Sequence, residues 1–202
     1  LISESFRGAA DGDSTVQKKA IAHPVDRRLL EVAREKIVRV VQRLGIKLKQ
    51  TYSKEGQVLR RRAGGYAHVK QFKRLKSVLR RQRTILGVLL REVERKMAEL
   101  DDAAKATLGL WIERARRIHT QRPKDKNKLY AVHAPEVECI SKGKARKPYE
   151  FGVKVSLAIT HKQGLIVGAR SFPGNPFDGH TLAAQLEQPC SPYARAGWYQ
   201  PA

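Results

Sequence analysis

Metal-dependent phosphoryl transfer requires clustered carboxylates, because two hard cations about 4 Å apart must be neutralised by oxygen ligands. Asp11 and Asp13 are the close acidic pair that precedes the long basic part of the chain. Asp13 leads the segment Asp13-Ser14-Thr15-Val16-Gln17, which reads as a short strand end with its carboxylate at the front. Spacing alone also fits a turn residue beside Gly12. Further along, Asp178 follows the turn Pro173-Gly174-Asn175-Pro176, where a helix N-cap or a supporting role beside a site is the natural reading. Glu150 opens a strand and either approaches the site or stays a solvated strand-end carboxylate. Glu136 and Glu138 flank Val137 as strand-edge polar residues. The histidines show no H-x-x-x-H spacing, and His133 with Cys139 reads as an ordinary loop pair rather than a metal site.

Charge is the louder chemical signal. The 202 residues carry 41 Lys and Arg against 19 Asp and Glu, a formal net charge of +22. A surface this positive repels itself unless a polyanion neutralises it, and nucleic acid is the usual cellular polyanion. Arg60, Arg61, Arg62, Lys70, Lys73, Arg74, Arg80 and Arg81 are the phosphate-contact candidates, with a solvated helix face as the plain alternative. Tyr52, Tyr66 and Phe72 lie among them and could stack on bases, although the apolar pattern assigns Phe72 to the core. Cys139 and Cys190 make no C-x-x-C pair, as expected of a reduced cytosolic protein without a zinc site or disulfide framework. The first residues, Leu1-Ile2-Ser3-Glu4, have no apolar leader pattern and no initiator Met, which hints at a non-native start. No apolar run approaches the roughly 20 residues that span a bilayer.

These residues need elements to position them, and the pattern gives four regions: 1–25, 26–126, 127–188 and 189–202. Residues 1–25 form the first strand region, broken by Gly8, Gly12 and Pro24. A helix follows with Asp26 as N-cap; Leu29, Leu30, Ala33, Ile37, Val40, Val41 and Leu44 recur at helical spacing, and Gly45 ends it. A basic connector, 47–65, leads into a second helix with the stripe Val69, Phe72, Leu75, Leu79, Leu86, Leu89 and Val93. A third begins after Asp101-Asp102, buries Leu108, Trp111, Ala115 and Ile118, and closes at Gln121-Arg122-Pro123. From residue 149 to 160 the chain alternates strictly, with Phe151, Val153, Val155, Leu157 and Ile159 on one face, a strand signal. Residues 161–164 are a short loop, 165–169 the returning strand, and 178–188 the start of a helix. The stretch 189–202 is irregular, with Pro189, Pro192, Gly197 and Pro201, and suggests truncation or a change of frame.

Several ordered motifs resemble the bacterial insertion-sequence DDE transposases. They are Asp13-Ser14-Thr15-Val16-Gln17 followed by Ala20-Ile21-Ala22-His23-Pro24 and Asp26; Gly64-Gly65-Tyr66 among the basic helices; His133-Ala134-Pro135-Glu136-Val137-Glu138-Cys139-Ile140; Lys142-Gly143-Lys144; the segment from Tyr149 to Val155; and Pro173-Gly174-Asn175-Pro176-Phe177-Asp178-Gly179-His180-Thr181-Leu182. The resemblance covers residues 13–188. It implies an RNase H-like catalytic domain in which three acidic residues hold two Mg2+ ions against DNA phosphodiesters. It makes Asp13 the first catalytic and metal-binding aspartate, and the basic helices an insertion after that strand. The family's Asp-Arg-Gly-Tyr segment and its later glutamate are missing from this chain. Arg7-Gly8-Ala9-Ala10-Asp11-Gly12 stands where an apolar strand is expected.

The sequence is therefore expected to fold as a mixed α/β protein, a partial RNase H-like sheet interrupted by a basic helical insertion. Its expected partners are element-end and target DNA, with Mg2+ in the intact family and lost catalysis here. Its expected location is the cytoplasm, at the nucleoid. Two rival readings are a non-enzymatic nucleic-acid-binding protein, ribosome-associated or nucleoid-associated, and a fragment that binds full-length transposase and interferes with it.

Overall fold

The structure, a computed structural model, describes residues 10–141, 148–160, 164–181 and 184. It is a mixed helical and antiparallel-sheet protein that divides into two compact units. One is helical, Ile21–Pro135; the other joins Leu1–Ala20 to Glu136–Ala202. The expected loop at 161–163, the Lys142-Gly143-Lys144 motif, the stretch before Ala10 and the irregular tail lie outside the described residues.

In the helical unit, α1 runs Asp26–Arg43, with Val25 at the cap position and Asp26 already inside the first turn. The predicted N-cap is thus displaced by one residue. The far end follows expectation: Gly45 takes φ +72°, its N–H donates to Gln42 O, and Ile46 N–H donates to Val41 O, so these two carbonyls of the last turn of α1 are satisfied. The predicted basic connector is instead mostly helix α2, Ser53–His68. Two adjacent glycines each cost about 1 kcal/mol in a helix interior, which disguised it. Packing decides the matter, because Leu59 and Ala63 are buried against neighbours. Lys70, at φ +56°, breaks the chain before α3, Phe72–Lys96. A turn of 3₁₀ helix, Met97–Glu99, precedes α4, Asp102–Thr120, which Asp101 caps by accepting from Ala104 N at 2.8 Å.

Leu29, Leu30, Ala33, Ile37 and Val41 of α1 meet Leu86, Leu90 and Val93 of α3 and Leu108, Ala115 and Ile118 of α4 in one apolar core. The stripe on α3 is shorter than expected. Val69 and Phe72 are 57% and 59% exposed, so Phe72 is not a core residue. Both residues flank the break at Lys70, in the turn between α2 and α3. The extended segment after α4 belongs to this unit, with Leu129, Ala131, Val132 and Ala134 buried. The Gln121 side chain fixes its path by accepting from Leu129 N at 3.0 Å and donating to Leu129 O at 3.3 Å.

Two carboxylates are set inside this unit. Glu31 receives Arg34 Nε at 3.0 Å and Nη2 at 2.7 Å, both residues buried, while Arg34 Nη1 donates to Thr51 O at 2.8 Å. Gly56 of α2 lies directly on this pair. A methyl group there would stand 2.4 Å from Glu31 Oε2 and 2.7 Å from Arg34 Nε. Glu92 accepts from Lys49 N at 2.8 Å and Lys96 Nζ at 2.9 Å. The Lys49 amide, followed by Lys96, holds the Glu92 carboxyl below its ordinary value.

In the sheet unit, β3 (Tyr149–Thr160) is central. Strand β1 (Ala10–Lys18) lies antiparallel along one edge, in register from Ala10↔Thr160 to Lys18↔Gly152. On the other edge, β2 (Glu138–Ser141) pairs with residues 149–152 and β4 (Ile166–Phe172) pairs farther along, with a bulge at Ala158/Ile159. The alternation forecast β3, but the buried face is the polar and small one. Glu150, Gly152, Lys154, Ser156 and Ala158 are buried, whereas Phe151, Val153, Val155, Leu157 and Ile159 are half-buried. Residues directly opposite share a face, so Val16 and Ile140 add apolar surface to the buried side.

Two outcomes follow for the helical unit. Gly56→Ala should destabilise the protein by about 1–3 kcal/mol through overpacking, despite Ala's better helix propensity. Urea unfolding followed by helical circular dichroism measures this, and an unchanged or higher midpoint contradicts the role given to the glycine. The second concerns pH. Because the folded Glu92 carboxyl titrates below its ordinary 4.5, its contribution is complete above that value and is lost as pH falls through the lower folded value. Glu92→Gln should therefore flatten the fall of urea stability between about pH 5 and pH 3. An equally steep fall in the variant speaks against it.

Candidate nucleic-acid interface

The basic residues named from the sequence gather on α2, on the left-handed turn after it, and on the first half of α3. Arg60, Arg61 and Arg62 are exposed on α2, Lys70 is exposed in the turn, and Lys73, Arg74, Arg80 and Arg81 are exposed on α3. The two helices double back on each other, which brings Arg81 to Glu55 near the start of α2: Nε reaches Oε1 at 2.7 Å and Nη2 reaches Oε2 at 3.1 Å. That bidentate contact is the chief reason the Glu55 carboxyl is held below its ordinary value and the Arg81 guanidinium above its own. Arg81 therefore has to exchange a carboxylate for a phosphate before it can hold nucleic acid. Arg74 donates to Gln71 Oε1 at 3.0 Å and lies 5.9 Å from the Tyr66 ring centroid. The exposed Phe72 ring stands in the same stretch of chain as Tyr66 and Arg74, so an aromatic side chain is available among the cations after all. Tyr52 is half-buried and packs against the cluster Val38, Leu59, Ile85 and Leu89.

Sequence reasoning missed a second group of cations. Arg27 and Arg28 of α1 line one opening of about 270 Å³ together with Gln57, Arg60, Arg61 and Gly64 of α2. The signal was present in the sequence, since two cations fall in the first turn of a helix, where the backbone dipole already disfavours them.

In the sheet unit, Asp13 lies in the middle of β1 rather than at its end, opposite Leu157, with its side chain exposed. The carboxylate is thus on the half-buried apolar face. Asp178 is held on the other side of β1. Its Oδ1 accepts from Ser14 Oγ at 2.7 Å and meets Lys154 Nζ at 2.5 Å. Lys154 also donates to Pro176 O at 2.5 Å, fastening the 173–178 turn to the sheet. Ser14, Val16, Ile140, Ser141, Lys154 and Asp178 are among the walls of a cavity of about 470 Å³. Glu150 is not a solvated strand end. It is buried and pairs with Lys18 at 3.0 Å, and Glu136 pairs with Lys19 at 3.4 Å.

A pair of hard cations does not fit the side chains that the structure describes. Among the described residues, no group of three or more His, Cys, Asp or Glu side chains is placed to hold a metal ion. Asp178 is already committed to a lysine ammonium, and Asp13 projects from a different face. No described helix is long and apolar enough to cross a membrane.

No protein-family model matches the chain, and no solved structure matches it. A stretch of 60 residues, 30% of this chain, is 47% identical to "Uncharacterized protein ORF8 in nfe locus" from Rhizobium meliloti. The match spans 29% of that relative's length.

Proposed function

We propose that this chain descends from the DDE insertion-sequence transposases, that its sheet is part of an RNase H-like core, and that it engages DNA through its helical unit without cutting it. One observation carries the reading. The strand bearing Asp13 and the strand Tyr149–Thr160, far apart in sequence, are hydrogen-bonded neighbours along nine residue pairs, with the basic helices inserted between them in the chain. That order of elements is what the motif resemblance implies. The exposed cations on α2 and the first half of α3 supply the electrostatic attraction that nucleic-acid binding needs. Element ends and target DNA are the natural partners on this reading, and the nucleoid in the cytoplasm the natural location.

Catalysis is a separate matter. A two-metal displacement needs several carboxylates converging on both ions, and here Asp13 alone answers to the family's acidic triad. The protein acts on DNA as a binder.

Duplex binding should be electrostatic and weakly sequence-specific. With about six phosphate contacts, affinity should fall roughly 10³-fold between 50 and 200 mM salt. Replacing Arg60, Arg61 and Arg62 together with Ala should weaken binding to all sequences alike and lower the salt slope by up to about 3. Salt-independent affinity, or no binding at low salt, removes the DNA reading. A nicking assay with Mg2+ or Mn2+ should give no product. Nicking that disappears in Asp13→Ala would restore the catalytic role.

A further inference from the structure

We infer that the opening between α1 and α2, lined by Arg27, Arg28, Arg60 and Arg61, is a built clamp for the phosphodiester backbone of duplex DNA. The inference rests on the DNA-binding reading above and deepens it by adding Arg27 and Arg28 and by giving the contact a place.

Four arginines line one opening of about 270 Å³, two from each helix, with Gln57 as a neutral residue beside them. Among the described residues, no ion pair is made by any of the four. This distinguishes them from Arg34, Arg81 and Arg83, whose charges are met by Glu31, Glu55 and Asp26. Asp26 is the one acidic residue in the first turn of α1, and it accepts from Arg83 Nη2 at 3.3 Å. The carboxylate nearest in sequence to Arg27 and Arg28 is thus engaged elsewhere.

Placement of Arg27 and Arg28 also runs against local stability. The first turn of a helix carries the positive end of the macrodipole, and cations there are unfavourable. Arg27 and Arg28 are nevertheless half-buried. A local rule broken without internal compensation marks a functional position. An anion resolves the conflict: it meets the helix end, the four side-chain charges and the forked geometry that makes Arg a partner for phosphate oxygens. Phosphodiesters are favoured over a lone inorganic anion because the two arginine pairs come from different helices, and the chain after Arg61 carries further exposed cations at Arg62, Lys70 and Lys73. A continuous polyanion can occupy all of them together.

The test compares two double variants of the full chain that each remove two positive charges. Arg27→Ala with Arg28→Ala empties one side of the opening. Arg95→Ala with Lys124→Ala removes exposed charges outside it. Binding to a mixed-sequence duplex is measured by fluorescence anisotropy from 50 to 200 mM salt, with folding checked by circular dichroism. The first variant should lower the salt slope by about 2, which makes the loss of affinity across this range roughly tenfold less steep, while the second should lower it by less than about 1. Arg27→Lys with Arg28→Lys should fold like the parent, keep the slope and bind severalfold more weakly, because a lysine cannot make the forked contact. Equal effects of the two Ala variants, or full affinity in the Lys variant, would overturn the clamp while leaving DNA binding intact. A parent protein that fails to bind at low salt overturns both.

Discussion

Glu31 and Arg34 are opposite charges placed one turn apart on α1 and shut away from water. Removing two such groups from solvent costs several kcal/mol each, recovered only when geometry and remaining hydrogen bonds are satisfied. Here they are. The guanidinium spans both carboxylate oxygens, and its third nitrogen takes the carbonyl of Thr51 in the link to α2. Because the pair leaves no room beside it, α2 can approach only with a residue that lacks a side chain. One ion pair therefore sets the course of the link, the position of α2 against α1 and, through them, the setting of every arginine on α2. Loss of either partner would strand the other charge inside, at a cost of about 3–5 kcal/mol.

The sheet unit uses buried charge differently. Lys154 projects from the central strand into the side of the sheet that a purely apolar accounting would have exposed, where its ammonium meets Asp178 and the Pro176 carbonyl, and Ser14 donates to the same Asp178 oxygen. These groups are distant in sequence but converge because β1 pairs with β3 with Ser14 on the face that carries Lys154, and the 173–178 turn is fastened to that face. The apolar face, by contrast, is only half covered, and Asp13 is carried on that side.

Elements whose signal is local periodicity were legible in the sequence. The helices beginning at Asp26 and Asp102 and the strand Tyr149–Thr160 stand where their spacing put them, and the returning strand lies within a few residues of its expected place. Helix α2 was hidden because its evidence is tertiary: Gly56, Gly64 and Gly65 read as breakers until a neighbour that requires one of them is known. Phe72 fits an apolar stripe by spacing alone, and only the left-handed turn at Lys70 shows that the stripe starts later. The link between Asp178, Lys154 and Ser14 had no local pattern to report it. Arg27 and Arg28 were legible in principle, because the sign of a charge in a first helical turn is a property of the sequence.

The uncompensated arginines along α1 and α2 give salt two opposed effects on the same molecule. Screening relieves their mutual repulsion, so the folded helical unit gains stability as ionic strength rises. The same screening weakens attraction to any polyanion. At low ionic strength, the protein is under its greatest internal electrostatic stress; on the DNA-binding proposal, a bound polyanion would then act as part of the fold, raising the unfolding temperature by mass action as well as occupying the surface.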